Sequence, residues 1–180
     1  MNSMSMPRTA INGFGRIGRL ALRANIENPQ LDIVAINDLG GPQQAAHMFK
    51  YDSVFGVFPG EVEAVEDGIV VNGKKYLIIS NRNPEELPWA DNEIEMVLEC
   101  TGVFRTVSTA EKHLEAGAKY VVVSAPGKGD EPMPTYVYGV NHQEYEAGEA
   151  VVSNASCTTN CLAPVAKVLD DEFEIKHAML

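Results

Sequence analysis

Short runs of β-branched and aliphatic residues alternate along this chain with segments of helix-forming residues. Arg8 to Asn12 reads as a strand, and Arg19-Leu20-Ala21-Leu22-Arg23-Ala24-Asn25 carries helix formers. A break at Asn28-Pro29 precedes Leu31 to Asn37, an apolar run that reads as a buried strand. Pro42 to Lys50 forms a short helix candidate with its proline in the first turn, and Tyr51 to Gly56 reads as a loop. Asp67-Gly68 and Asn72-Gly73 bracket Ile69-Val70-Val71, so a hairpin is expected, with Lys74 to Ser80 as the returning strand. Glu95 to Cys100 and Tyr120 to Ser124 are further strand candidates. Between them, Ser108-Thr109-Ala110-Glu111 resembles a capping box and Gly117 a helix end. Thr135 to Val140 and Ala150 to Ser153 complete the expected strands, and Leu162 to Leu169 reads as a helix. This alternation predicts an α/β fold: a Rossmann-type, doubly wound, mostly parallel sheet with an antiparallel hairpin insertion. Its ligand belongs at the carboxyl ends of the strands.

Composition narrows the partners. The 180 residues suffice for one packed domain and part of a second. Net charge is −11, from 14 basic and 25 acidic residues, which argues against binding to nucleic acid or to an acidic membrane surface. Three cysteines, two of them four residues apart, make no disulfide framework, so a reducing compartment is expected. Met1 to Pro7 lacks a signal-peptide core and no run reaches membrane-spanning length. The expectation is a soluble, cytoplasmic protein, or one in an organelle after loss of a transit peptide.

Gly13-Phe14-Gly15-Arg16-Ile17-Gly18 is a G-x-G-x-x-G between the first strand and the first helix, and Asp38 follows Gly18 by twenty residues at the end of the second strand. A glycine turn alone is weak evidence, but here the full strand–turn–helix–strand context is present. Gly13 permits the tight turn, Gly15 permits close approach of a pyrophosphate, and Gly18 lets the helix pack on the strand. The pyrophosphate would sit on the helix N-terminus. Asp38 would accept the adenosine ribose hydroxyls and repel a 2′-phosphate. Leu39, not arginine, follows it, so NAD is expected over NADP.

Ser153-Asn154-Ala155-Ser156-Cys157-Thr158-Thr159-Asn160-Cys161 lies between a strand and a helix. Most cysteines only pack. A thiol at a helix start, however, meets the positive end of the macrodipole, which favours the thiolate, and the nearby N–H groups can hold an oxyanion. Ser156 and Thr158 offer hydroxyls beside it. No further soft ligands make Cys157 and Cys161 a metal site, and a helical i, i+4 disulfide would distort the backbone, so free thiols and no metal are expected. Cys100 and Trp89 read as core residues, His47 and His113 as helix surface residues, and His142 as a turn residue with no evident partner.

Ile11 to Arg19 together with Ser153 to Cys161 and Leu162-Ala163-Pro164 closely resembles phosphorylating glyceraldehyde-3-phosphate dehydrogenase. Asn37-Asp38, Lys50-Tyr51-Asp52-Ser53, Thr101-Gly102-Val103-Phe104, Ser124-Ala125-Pro126 and Gly139-Val140-Asn141 match as well. The resemblance implies an NAD-dependent oxidation of glyceraldehyde 3-phosphate to 1,3-bisphosphoglycerate, in glycolysis or gluconeogenesis. Cys157 would be the nucleophile, forming a thiohemiacetal and then a thioester that inorganic phosphate cleaves. Ser156 and Thr158 would contact substrate or phosphate. Asn12, Gly13, Gly15, Arg16, Ile17 and Gly18 would surround the pyrophosphate, with Asp38 at the ribose. Arg82 and Thr101 would lie near the adenine, Gly102 would let the backbone approach the cofactor, and Ser124 would lie on the nicotinamide side.

The same resemblance implies residues 1–154 as the NAD-binding domain and 155–180 as the beginning of a truncated catalytic domain. The family's catalytic histidine would lie on a strand after the cysteine helix, just as the chain stops, and His177 falls short of its motif. The whole enzyme is expected to be a homo-oligomer, a homotetramer in the family, and this chain alone inactive. Two alternatives stand beside this: a half-length NAD-binding module without chemistry, and erythrose-4-phosphate dehydrogenase, which shares the fold and the thiol.

Overall fold

The computed structural model describes residues 6–179. Met1 to Ser5, part of the segment read above for a signal peptide, lies outside the described residues. The chain order is β1 (Arg8–Asn12), α1 (Arg16–Glu27), β2 (Asp32–Asn37), α2 (Gly41–Lys50), β3 (Tyr51–Asp52), β4 (Gly56–Val57), β5 (Val62–Val65), β6 (Gly68–Val71) and β7 (Lys74–Ile79). Then follow β8 (Met96–Glu99), α3 (Val107–Ala110), α4 (Lys112–Glu115), β9 (Tyr120–Val123), β10 (Val151–Ser153) and α5 (Cys157–Phe173). Eight strands form one sheet in the order β10-β9-β8-β1-β2-β7-β6-β5. β10 through β7 run parallel, and β7, β6 and β5 pair antiparallel. The chain moves from β1 to β2 on one side, and β8 returns to the other side of β1. That reversal opens a crevice between β1 and β8 at their carboxyl ends.

Side chains of adjacent strand residues point to opposite faces, so the sheet carries two cores. On one face Ile11, Ile33 and Ile36 pack with Leu22 of α1 and Phe49 of α2. On the other, Ala10, Ala35 and Val97 pack with Leu87, Trp89 and Ile94. A bulge in β2 makes this division possible. Thr9 stands opposite Ile33 but Ala10 opposite Ala35, so Val34 is extra and both it and Ala35 serve the second face. A third cluster joins Val121, Val123 and Val151 to Ala110.

The Asn72-Gly73 turn forms as expected, with φ of 49° and 81°, the positive pair a type I′ hairpin requires. Four local expectations are corrected. Tyr51 to Gly56, read as a loop, forms with Val57 a small two-stranded sheet. The capping box lies at Thr106 and Thr109, two residues earlier than expected, because the Thr106 hydroxyl reaches the Thr109 N–H. Thr135 to Val140 is not a strand beyond a single bridge from Thr135 to Ser153. There the Asn141 side chain takes the N–H of Val137 and donates to the carbonyl of Thr135, replacing ladder partners with a local turn. His142, expected to have no partner, accepts from the Gly139 N–H through Nδ1 at 3.0 Å.

Candidate active site

A cleft of about 660 Å³ opens at the carboxyl ends of β1, β2 and β8. Asn12, Gly13, Gly15, Asp38, Arg82 and Thr101 line it, so six of the expected cofactor residues converge on one space. The three glycines divide the roles the sequence assigned. Gly13 has φ of +93°, and a Cβ there would come within 2.8 Å of the Thr101 backbone nitrogen. A Cβ on Gly18 would meet the Gly13 carbonyl oxygen at 2.2 Å, so only glycine lets α1 pack this close to β1. A Cβ on Gly15 would meet nothing within 4 Å; its missing side chain leaves open space beside the loop.

Gly15 is also the N-cap of α1 and contributes no side-chain cap. The first-turn N–H groups therefore keep their donors free for an anion. Arg16 and Ile17 are exposed on that turn, with no acidic residue in it. Asp38 accepts from the Phe14 N–H at 2.9 Å and from the Gly40 N–H at 2.9 Å, one bond on each carboxylate oxygen. This pins the carboxylate between the glycine turn and the start of α2 while each oxygen keeps a free lone pair. Gly102 follows Thr101 in the left-handed region at φ +73° and is exposed. Ser124 caps the end of β9, half-buried beside Cys100, and does not line the cleft. Burial pushes the Cys100 thiol up to about 11, against a partly offsetting hydrogen bond from Ser124.

Cys157 is the first residue of α5, and it is exposed. Ser156 is the N-cap and accepts from the Thr159 N–H at 3.0 Å; its hydroxyl also lies 3.0 Å from that of Thr158. Ser156 is thus committed first to shaping the helix start that presents the thiol. Ala155, buried and at φ 59°, makes the sharp turn from β10 into α5, held by its N–H to the Ser153 hydroxyl at 3.0 Å. A left-handed alanine costs about 1 kcal/mol, so the turn is imposed by its surroundings. Cys157, Ser156 and Thr158 stand at the carboxyl edge of the same sheet as the cleft but do not line it. β10 is three strand positions from β1, roughly 14 Å at ordinary strand spacing. Cys161 is a free, exposed thiol on α5.

The sequence reading missed Asn81 as a member of the cleft and mistook His113. Asn37 and Asn81 line the cleft, and Asn37 exchanges hydrogen bonds with the Asn81 backbone. His113, read as a surface residue, is fully buried, with Nε2 3.1 Å from Glu99 Oε2. A charged Glu99 closing an otherwise apolar strand was the signal for such a partner. Among the described residues, no group of three or more His, Cys, Asp or Glu side chains is placed to hold a metal.

A parallel sheet with a switch-point crevice, a glycine turn feeding an uncapped helix and an acidic residue ending the second strand define a dinucleotide-binding α/β domain. Residues 7–107 match the family model of the glyceraldehyde 3-phosphate dehydrogenase NAD binding domain, and residues 156–180 match that of the glyceraldehyde 3-phosphate dehydrogenase C-terminal domain. The chain belongs to the glyceraldehyde-3-phosphate dehydrogenase family. It is 53% identical over 175 residues to glyceraldehyde-3-phosphate dehydrogenase of Clostridium acetobutylicum, covering 97% of this chain and 52% of that protein. It is 54% identical over 167 residues to the chloroplastic glyceraldehyde-3-phosphate dehydrogenase A of Scenedesmus vacuolatus, covering 91% and 53%. The chain spans about half the length of these curated relatives. NAD is the cofactor of the matched domain. The open space at Gly15, the uncapped α1 and the pinned Asp38 fit its pyrophosphate and ribose.

Proposed function

We propose that this chain supplies the NAD-binding domain and the nucleophilic helix of a phosphorylating glyceraldehyde-3-phosphate dehydrogenase. The observation that carries the reading is Cys157 at the first position of a 17-residue helix, on the same carboxyl edge of the sheet as the dinucleotide cleft. Asn12, Gly13, Gly15 and the first turn of α1 hold the pyrophosphate side, Asp38 the ribose, and Leu39 with Val103 and Phe104 gives apolar surface for the adenine. When bound, NAD supplies the hydride acceptor. The Cys157 sulfur adds to the aldehyde carbon, and the first-turn N–H groups of α5 stabilise the resulting oxyanion. After oxidation the same sulfur carries the acyl group as a thioester, which inorganic phosphate cleaves to an acyl phosphate. Ser156 and Thr158 present hydroxyls to the substrate or to the attacking phosphate.

The thiol needs a proton acceptor. The chain's histidines stand elsewhere: His47 on the exposed side of α2, His113 buried, His142 in a turn and His177 exposed past α5. None hydrogen-bonds to Cys157 among the described residues. In this reading the base is a histidine of the family's catalytic domain, and this chain alone binds NAD without steady turnover. In this reading residues 1–154 form one unit and 155–180 open the catalytic one, consistent with an α5 in which no residue is buried. The full polypeptide is a soluble, cytoplasmic homo-oligomer, and no helix among the described residues is long and apolar enough to cross a membrane.

The test is a phosphate-dependent NAD reduction assay with glyceraldehyde 3-phosphate on the full-length polypeptide containing this chain. Cys157→Ser abolishes turnover and leaves NAD affinity within about threefold. Turnover that survives the substitution refutes the nucleophile.

A further inference from the structure

Behind the cleft runs a buried polar chain that the reaction does not use directly. Trp89, His113 and Glu99 are at most 1% exposed. Trp89 Nε1 donates to His113 Nδ1 at 3.0 Å. An indole nitrogen can only donate, so Nδ1 carries the lone pair and Nε2 carries the proton. His113 Nε2 then donates to Glu99 Oε2 at 3.1 Å. Asn12 Nδ2 donates to the same oxygen at 2.5 Å. The 3.3 Å approach of Asn12 Nδ2 to His113 Nε2 joins two donors that share Oε2 and is not itself a hydrogen bond. Glu99 Oε1 takes the N–H of Thr101 at 2.7 Å and the Thr101 hydroxyl. Four donors thus fill the four lone-pair sites of one buried carboxylate.

The direction set at Glu99 propagates into the cleft. With Nδ2 committed to the carboxylate, Asn12 turns Oδ1 toward Asn37, whose Nδ2 donates to it at 2.7 Å. Asn37 Nδ2 also donates to the Asn81 carbonyl at 2.8 Å, and Oδ1 accepts the Asn81 N–H at 2.9 Å. Every amide in the chain has one permitted orientation, because a donor-only indole and an acceptor-only carboxylate fix one end and a backbone N–H fixes the other. Asn12, Asn37, Asn81 and Thr101 all line the cleft, and Arg82 follows Asn81 directly.

We propose that Glu99 is a positioning residue for the dinucleotide. It sets the orientation of the Asn12 and Asn37 amides and of Thr101, and through them the seating of the Asn81–Arg82 segment at the cleft. The inference rests on the reading of the cleft as the NAD site. Its distinctive consequence is a reversal of direction. In Glu99→Gln the new amide nitrogen avoids the fixed Thr101 N–H and faces Asn12 Nδ2 and His113 Nε2, donor against donor. Asn12 can relieve this only by turning over, which then opposes Asn37. Glu99→Asp keeps an acceptor-only carboxylate, and with it every donor direction, with the oxygens drawn back by one methylene.

The experiment measures NAD affinity by calorimetry, and thermal unfolding and the indole N–H resonance without cofactor, for the parent, E99Q, E99D and Ile94→Val. The last is a core change in the same cluster as Trp89 that leaves the polar chain intact. Trp89 is the chain's single tryptophan, so its resonance reports the Trp89–His113 bond without ambiguity. Expected are a loss of about tenfold or more in NAD affinity and a shifted indole resonance in E99Q. E99D, which keeps the acceptors, stays within about threefold of the parent in affinity, and I94V lowers the unfolding temperature with unchanged affinity. If E99Q does not fold, a folded E99D with parental affinity supports the proposal. Parental affinity in E99Q overturns it, as does an E99D that fails to fold or binds no better than E99Q. A parent that binds no NAD refutes the cleft reading itself, and the positioning role with it.

Discussion

Trp89 donates its indole N–H to Nδ1 of His113 across 3.0 Å, and both side chains are fully buried. The bond joins the segment before β8 to the short helix α4 after it, and fixes which imidazole nitrogen faces Glu99. Trp89→Phe keeps most of the packing area and removes the one donor. Leaving a buried acceptor unpaired costs about 1–3 kcal/mol. His113→Leu strips a donor from the buried Glu99 carboxylate and also orphans the indole N–H, at about 3–5 kcal/mol. Urea unfolding of both variants should give the second loss as the larger; equal losses would mean that the Glu99 contact contributes nothing.

Gly15 and Gly18 lie three residues apart and predict opposite outcomes. Gly18→Ala places a methyl 2.2 Å from the Gly13 carbonyl oxygen, so α1 must move off β1. Overpacking of this kind costs about 1–3 kcal/mol and disturbs the glycine turn. Gly15→Ala meets no atom within 4 Å, and its extended backbone suits alanine. It should fold with stability within about 0.5 kcal/mol of the parent, yet bind NAD at least about tenfold more weakly, because the methyl occupies the space proposed for the pyrophosphate. Calorimetry and thermal unfolding on both variants separate the two effects.

The three thiols should label in two classes. Cys157 and Cys161 are exposed, whereas burial pushes the Cys100 thiol up to about 11. At pH 8 only about one Cys100 thiol in a thousand is ionised. Iodoacetamide followed by peptide mapping should modify Cys157 and Cys161 in the native protein and Cys100 only after unfolding. Native labelling of Cys100 at the rate of Cys161 would contradict its burial.

Alkaline stability carries a contribution from Tyr136. Its hydroxyl donates to Glu149 Oε2 at 2.6 Å, and that bond, with a smaller effect of burial, pushes the phenol up from 10.0 to about 12. The folded state therefore binds this proton more tightly than the unfolded state. The stabilisation is fully present below about pH 10 and is lost as pH rises through about 12. Urea midpoints measured across that window should fall more steeply for the parent than for Tyr136→Phe. Parallel curves would show that the Glu149 contact does not hold in solution.

The helix start at Cys157 gives a further expectation. Ser156 caps α5 through the Thr159 N–H, so Ser156→Ala should lower stability by about 1 kcal/mol, measured by thermal unfolding. Ser156→Asp, which preserves a cap, should recover that stability. In the full-length enzyme the aspartate should still depress turnover, because it brings negative charge beside the thiol. An alanine variant as stable as the parent would mean that the cap is not formed.

The alternation of β-branched runs and helix formers, the G-x-G-x-x-G turn, the Asn72-Gly73 hairpin and the thiol at a helix start were legible in the sequence. Each rests on a rule that acts within a few residues: glycine at positive φ, a hydroxyl reaching an N–H three positions on, branched side chains on a pleated strand. Local patterning therefore fixes the fold class and supplies the candidate residues of the cleft. Thr135 to Val140 was misread because Asn141 draws the backbone into a turn, a side-chain competition that apolar periodicity does not record.

His113 marks the other limit. Its sequence neighbours resemble those of a helix surface, and its burial depends on partners 14 and 24 residues away. Asn12 meets Glu99 across 87 residues only because β8 pairs with β1 in the register that sets Asn12 opposite Glu99. Where strands, turns and the candidate nucleophile lie is written in short stretches of chain, because those choices are local. Which buried polar groups meet, and which way their hydrogen bonds point, follows only from the folded arrangement. Sheet register and packing of both faces create that environment, and a buried carboxylate takes its partners from whatever the fold brings within reach.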